Sequence, residues 1–401
     1  MKLNKNFALL LSGQSFANIG DVLYMVSVIS TIFALTGSAA ASSFVPFTIT
    51  TSMFIASLIT PLLVGKVNLK WLLAGSQIGK TLLLVILGFA IIYITASNDY
   101  VIFLIIGAIA FLDGCANPIR QTLIPHYVKP DHLIQANGIT ETVTQLIQAG
   151  MWFAGSLFLI ILSPSQLIWL VGGLFVVSSV LLCFLESVNT VKPEAKGPME
   201  QIKAGWKTLF NTPVLRKIAW IDFFETIAGT VWIAAILYVF VSDALNVAET
   251  WWGFINGAFF LGLILGSFYC IRYSAFIEKR LGVIMFGGSL AGFFVTIWFS
   301  LNSIPVIALM LSLCVGLFEQ IKNIPQQTVI QTSVPKEKLS TVYTSLGAIG
   351  TGIFGLGSLV MGILADLLGI RVVFVISGML LAVNSAIVYK NKQLFIRNVI
   401  E

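Results

Sequence analysis

Charge is scarce in this chain. Asp, Glu, Lys and Arg supply 10% of the 401 residues, against roughly a quarter in soluble globular proteins, and this excludes a water-soluble fold. With 57% hydrophobic residues and a mean hydropathy of +0.95, hydrocarbon is the solvent that suits it. Histidine is nearly absent: His126 and His132 share one polar connection. No Ser/His/Asp set or phosphate-cradling glycine motif accompanies them, so nucleophilic catalysis and ATP hydrolysis have nothing to work with. The four cysteines, Cys115, Cys183, Cys270 and Cys314, fall one per apolar run. Without paired spacing they imply neither a disulfide framework nor a zinc site, and they read as small apolar core residues. The sequence therefore implies no enzyme, no metal and no cofactor.

What is present is apolar length. A bilayer core about 30 Å thick needs roughly 20 apolar residues per helix, and twelve such runs lie near 7–35, 41–64, 71–96, 100–123, 135–161, 166–185, 216–241, 251–271, 281–300, 304–330, 340–365 and 371–389. The first run follows basic residues but is longer than a signal-peptide apolar region of about 7–15 residues. It also carries Gln14, Asn18 and Asp21, and so reads as a transmembrane helix. A net charge of +6 does not indicate nucleic acid, because of where the cations lie. Nineteen of the 23 Lys and Arg fall in the N-terminal tail, alternate connections, central linker and C-terminal tail; Lys80, Arg120 and Lys322 lie within runs, and Arg371 alone is on the opposite side. That asymmetry places both termini on the cytoplasmic side of the membrane; the expected location is a bacterial plasma membrane.

One connection is long. Residues 186–215 separate a six-helix bundle, 1–185, from another, 216–401, and contain the polar stretch Val191-Lys192-Pro193-Glu194-Ala195-Lys196-Gly197-Pro198. After it, Ile202, Trp206, Leu209 and Phe210 share a helical face that excludes Lys203 and Lys207, the pattern of a helix lying on lipid headgroups. The halves repeat. A shift of 206 positions lays Asp113, Asn117, Gln121, Thr122, Ile124, Val128 and Leu133 onto Glu319, Asn323, Gln327, Thr328, Ile330, Val334 and Leu339. The fold class expected is an all-α membrane protein with twelve transmembrane helices in two pseudo-symmetric six-helix bundles.

Polar residues within the runs gather into stripes at helical spacing. Run 1 carries Gln14, Asn18 and Asp21 with Tyr24 beside them; run 4 carries Asp113, Asn117 and Arg120; run 5 carries Asn137, Glu141, Gln145, Gln148 and Trp152. Run 7 carries Asp222, Glu225 and Trp232, and run 10 carries Glu319, Lys322, Asn323 and Gln326. Stripes of this kind face a bundle interior or a water-filled cavity, and each buried ionisable group costs at least about 2.5–3.5 kcal/mol on insertion scales. Six carboxylates are thus candidates for proton coupling: Asp21, Asp113, Glu141, Asp222, Glu225 and Glu319. The bland reading pairs them with nearby cations, Glu319 with Lys322, Asp113 with Arg120 and others with Lys80. Asp222 and Glu225 form a close acidic pair, whose repulsion a shared proton would relieve. Tyr24, Trp152 and Trp232 would offer stacking surfaces to a substrate, and Gln14, Asn18, Arg120, Gln148, Lys322, Asn323 and Gln326 polar contacts.

These residues carry a resemblance. Gly13-Gln14, Ile19-Gly20-Asp21 and Leu35-Thr36-Gly37-Ser38 resemble the first helix of the macrolide-efflux and enterobactin-exporter branch of the major facilitator superfamily. Asn117-Pro118-Ile119-Arg120-Gln121, Leu123-Ile124-Pro125, Gln135-Ala136-Asn137, Gly205-Trp206, Thr212 to Arg216, Pro325 to Gln331, Val334-Pro335 and Gly362 to Asp366 with Gly369 are similar to later segments of that branch. The resemblance implies a drug:proton antiporter working by alternating access around a central cavity. Two segments depart from it. Pro61-Leu62-Leu63-Val64-Gly65-Lys66 lacks the glycine and acid usual after the second helix, and Gly150-Met151-Trp152-Phe153-Ala154-Gly155 keeps only the glycine frame of the antiporter motif. The eleventh run carries Gly347, Gly350, Gly352, Gly355 and Gly357, which read as helix-packing positions, with bending as the alternative.

The function expected is secondary active transport: proton-coupled export of a small amphipathic compound, a drug or secreted metabolite. Partners are that small molecule, protons and membrane lipid, with the chain acting as a monomer. A siderophore or metallophore exporter, whose substrate carboxylates would meet Arg120 and Lys322, and a lipid or lysophospholipid translocase remain as alternatives, and a receptor without transport is a weaker one.

Overall fold

The computed structural model describes residues 4–36, 39–64, 66–95, 98–188, 197–232, 234–248 and 250–396. The backbone is helical nearly throughout, as it must be where no water satisfies peptide groups. The helices are α1 (Lys5–Thr36), α2 (Ala39–Ile59), α3 (Leu69–Ala90), α4 (Tyr100–Tyr127), α5 (Leu133–Ile161), α6 (Pro164–Cys183) and α7 (Pro198–Asn211). They continue with α8 (Pro213–Gly229), α9 (Ala234–Val239), α10 (Thr250–Arg272), α11 (Ser274–Glu278), α12 (Leu281–Leu301), α13 (Pro305–Thr332), α14 (Lys336–Leu368) and α15 (Ile370–Asn391). Among the described residues ten helices are long and apolar enough to cross a membrane, and the bent pair Pro213–Trp232 with Ile236–Ala244 makes an eleventh. The 29-residue α5 occupies the place of the remaining expected run.

Helix starts follow local chemistry. Asn68 caps α3, its side chain accepting from the Lys70 amide at 2.9 Å. Ser163 and Gln166 form a reciprocal capping box at α6, where Pro164 supplies the first helical position. Both devices satisfy amides that a helix start leaves unpaired.

The chain divides into two compact units. One comprises Met1–Val128, Leu146–Trp206 and Lys336–Ala348; the other comprises Lys129–Gln145, Lys207–Pro335 and Ile349–Glu401. Both α5 and α14 therefore contribute to each unit. In the first unit α1 packs on α6, α2 on α4, and α3 on α4 and α6. In the second, α8 packs on α15, α10 on α13, and α12 on α13 and α15. Exchanging α1, α2, α3, α4 and α6 for α8, α10, α12, α13 and α15 converts one set of neighbours into the other, so the repeat read from run 4 and run 10 is a repeat of packing.

Close approach in the second unit depends on absent side chains. A Cβ at Gly262 of α10 would run into the Leu313 carbonyl of α13, and one at Gly316 of α13 into the Phe259 carbonyl of α10. Small residues let membrane helices meet at backbone distance. The α14 glycines differ from that expectation. A Cβ at Gly347, Gly350 or Gly355 would meet nothing within 4 Å, so those three positions do not serve close packing; Gly357, beside Thr230 and Ile227, does. The α7 helix also departs from a purely lipid-facing role. Its Leu209 is fully buried and Gly205 abuts the Thr341 carbonyl of α14, while Lys203, Lys207 and Phe210 stay exposed.

Each unit has its own apolar core. The first is mainly aliphatic, around Val28, Ile32, Leu84, Leu87 and Ile106 with Phe175. The second is aromatic, with Phe240, Phe299 and Phe374 packed together at centroid distances of 4.6–5.1 Å. Arg371 lies over the Phe240 ring at 5.7 Å. It donates to the carbonyls of Ser300 (2.6 Å), Asn302 (2.9 Å) and Ala244 (2.9 Å) and to Ser303 Oγ (2.8 Å). Arg371 thus satisfies carbonyls left open at the end of α12, and with Ala244 one beyond α9.

Candidate transport sites

Each unit contains a buried lysine that organises carboxylates from other helices. In the first unit Lys80 of α3 is 0% exposed. Its ammonium donates to both carboxylate oxygens of Asp21 on α1, at 2.7 and 2.9 Å, and to Asp113 Oδ1 on α4 at 2.8 Å. The Phe175 ring of α6 lies 5.0 Å from the ammonium. Three hydrogen bonds exhaust the donors of Lys80, and two carboxylates against one ammonium leave the cluster with one excess negative charge. About a quarter of each aspartate side chain remains accessible, against 1% of the lysine.

Asp113 is therefore held by Lys80, and the expected Asp113–Arg120 pair does not form. A lysine facing it from the neighbouring helix reaches its carboxylate, whereas Arg120 stands about two turns along α4. Near Asp21, Gln14 Nε2 donates to Asn18 Oδ1 at 2.9 Å, so these two side chains satisfy one another along α1. Tyr24 is 3% exposed within the aliphatic core and presents no free ring face, which corrects its expected role as a stacking surface. Arg120 and Gln148 are partly buried. The Trp152 side chain lies outside the described residues.

In the second unit the buried cation is Lys322 of α13, 2% exposed. It forms an ion pair with Glu225 of α8, where the sequence suggested Glu319 on its own helix. Asp222, one turn before Glu225, accepts from Gln326 Nε2 at 2.6 Å. The adjacent acids of α8 thus take separate partners on α13, so the expected shared-proton pair is not what this geometry holds. Glu319 makes no hydrogen bond or ion pair among the described residues, although it lines the same small cavity as Lys322 and Glu225. Asn323 is partly buried. Trp232 edges that cavity, but its ring packs on Phe259 (6.1 Å), Phe299 (4.7 Å) and Phe374 (5.5 Å), which leaves little of its face for a ligand.

Along the first part of α5, Asn137 and Gln331 of α13 exchange amide hydrogen bonds at 2.8 and 3.1 Å, and Asn137 also donates to Thr328 Oγ1 at 3.2 Å. Both amides are buried, at 4% and 5% exposure. Glu141, one turn on, is partly buried and unpaired among the described residues. Sequence reasoning placed Asn137 in a polar stripe but missed Gln331. It missed Ser289 of α12 as well, whose hydroxyl is buried without a partner among the described residues; a lone serine in an apolar run gives no signal of this.

Carboxylates held by lysines inside a helical repeat describe a transporter, and comparison with known proteins agrees. The family model of the Major Facilitator Superfamily matches residues 9–242 and again 223–393. The MFS-type transporter YfmI of Bacillus subtilis strain 168 is 32% identical over 388 residues, covering 96% of this chain and 95% of that one. The multidrug efflux pump Tap of Mycolicibacterium fortuitum is 23% identical over 290 residues, covering 70% and 69%. Among solved structures, the human organic anion transporter MFSD10 has the same fold, with a TM-score of 0.79 over 96% of this chain and 99% of that one at 10% identity. The chain belongs to the major facilitator superfamily. It is a multi-span membrane transporter of a small molecule, and not an enzyme.

Proposed function

We propose that the protein couples inward proton movement to export of a small amphipathic compound by alternating access, as a monomer in a bacterial plasma membrane with both termini in the cytoplasm. The observation that supports coupling is the pair of lysine–carboxylate clusters, one per unit, each with more carboxylates than cations. Such clusters can change charge by taking up a proton without losing their scaffold. The similarity to a multidrug efflux pump supports export, and the cation asymmetry supports the orientation. A siderophore exporter is less well supported, because Lys322 is occupied by Glu225 and leaves Arg120 alone to meet substrate carboxylates. In proteoliposomes, an imposed pH gradient should drive accumulation of a lipophilic cation such as ethidium, or of another member of an amphipathic panel, and a protonophore should abolish it. Transport of the panel at the same rate with and without the gradient would refute coupling.

A further inference from the structure

The repeat puts the buried sites of the two units in register. In the first unit a Cβ at Gly79 of α3 would come within 2.8 Å of the Leu112 side chain of α4, and in the second a Cβ at Gly288 of α12 would come within 2.9 Å of the Phe318 carbonyl of α13. Leu112 and Phe318 are 206 positions apart, the shift that also relates Asp113 to Glu319. The residue after each glycine therefore holds an equivalent place: Lys80 in the first unit, Ser289 in the second. Phe175 and Leu381 are related by the same shift; Phe175 lies against the Lys80 ammonium, and Leu381 lies on the side of Ser289.

The Lys80 side chain fills its place and holds Asp113 at 2.8 Å. Ser289 is far shorter, and around it Glu225, Phe318, Glu319, Lys322 and Leu381 line a cavity of about 60 Å³. Pockets for drug-sized ligands measure roughly 300–1,000 Å³, so no such compound fits, whereas about two particles the size of water do. In the first unit one ammonium reaches both carboxylates. In the second, Lys322 pairs with Glu225, and Glu319 has no partner among the described residues. The Ser289 hydroxyl is 4% exposed and is likewise unpartnered among them.

A carboxylate and a hydroxyl taken out of water call for a partner, and the lining limits which one. Glu225, Glu319 and Lys322 together carry a net charge of −1 when ionised. One monovalent cation neutralises them, while a divalent ion would leave the same excess with the opposite sign. Neither histidine nor cysteine lines the cavity, which disfavours the softer transition metals. Calcium takes roughly 6–8 oxygen ligands, more than this space admits.

We propose that the cavity binds a sodium ion, held by the Glu319 carboxylate and the Ser289 hydroxyl with water completing its shell, in the place that the Lys80 ammonium takes in the first unit. Lys322 stays with Glu225. Sodium binding here is independent of what drives the compound, and it is read on purified protein with no gradient and no compound present.

The full chain in detergent should melt at a higher temperature as sodium chloride replaces choline chloride at constant ionic strength and pH. The rise should saturate, and radioactive sodium should bind over the same concentration range. Glu319→Gln should lose both responses, and Glu319→Asp should keep them at weaker affinity. Ser289→Ala should raise the half-saturating sodium concentration about tenfold, the worth of one polar contact, and Ser289→Thr should restore it. Asp21→Asn, in the other unit, should leave sodium binding unchanged. Equal melting in sodium and choline would overturn the proposal, as would wild-type sodium binding by Glu319→Gln or a response lost in Asp21→Asn instead. If Glu319→Gln does not accumulate as folded protein, Ser289→Ala decides: sodium affinity equal to that of the wild type overturns the site.

Discussion

Lys322 pairs with Glu225 on α8 and leaves Glu319, one turn away on its own helix, unpaired among the described residues. The consequence is testable by a double-mutant cycle. Removing one member of a buried ion pair strands the other and typically costs about 3–5 kcal/mol, whereas removing both is far less costly. Lys322→Ala should therefore lower the thermal stability of the purified transporter more than Lys322→Ala with Glu225→Ala. Adding Glu319→Ala to Lys322→Ala should rescue less. Equal rescue by the two second changes would mean that the pairing is not selective.

In the first unit, Asp21→Asn keeps the shape of the side chain and leaves Lys80 with Asp113. Insertion and stability should survive, with gradient-driven transport lost. Lys80→Met strands two aspartates, and the expected outcome is failure to accumulate folded protein, read as the monodisperse fraction on size exclusion.

On α8, Glu225→Gln breaks an ion pair, while Asp222→Asn exchanges one acceptor oxygen of a Gln326 hydrogen bond for an amide. Transport should fall further in Glu225→Gln, measured as initial rate at matched protein density. Small and equal losses would assign both acids a merely solvated role.

How much of this was legible in sequence depends on distance along the chain. The helices were, because apolar length is a local property, and α4 and α13 announced their kinship through matched residues such as Asn117 and Asn323. The clusters were only half legible. Asp21, Asp113, Glu225 and Lys322 stand out as charges in apolar runs, but Asp21 finds its cation 59 residues away, and no local rule supplies that pairing. For Glu319 the local rule misled: a spacing of three residues suggests an ion pair, yet Glu225 on α8 takes the lysine. Tyr24 and Trp232 looked like substrate contacts because aromatics beside polar stripes can be either lining or core, and packing alone decides. The α14 glycines show the reverse ambiguity, since the same residue permits close contact at Gly357 and leaves open space at Gly350.

Arg371 offers a check on the scaffold of the second unit. Its guanidinium satisfies four oxygens, and each buried group left unsatisfied costs about 1–3 kcal/mol. Arg371→Ala should lower the melting temperature clearly, and Arg371→Lys should recover only part of it because an ammonium cannot span the same fork. No change in melting temperature would show that water replaces the guanidinium without loss.

The central claim is coupling, and it is tested most directly by watching the proton itself. Proteoliposomes loaded with a pH-sensitive dye and a transported panel compound, then diluted into compound-free buffer without any initial pH difference, should change internal pH as the compound leaves. The change should require the protein and disappear with a protonophore. Antiport acidifies the lumen during efflux of a compound whose own charge does not change; a compound that leaves at the full rate with no movement of internal pH would contradict the account.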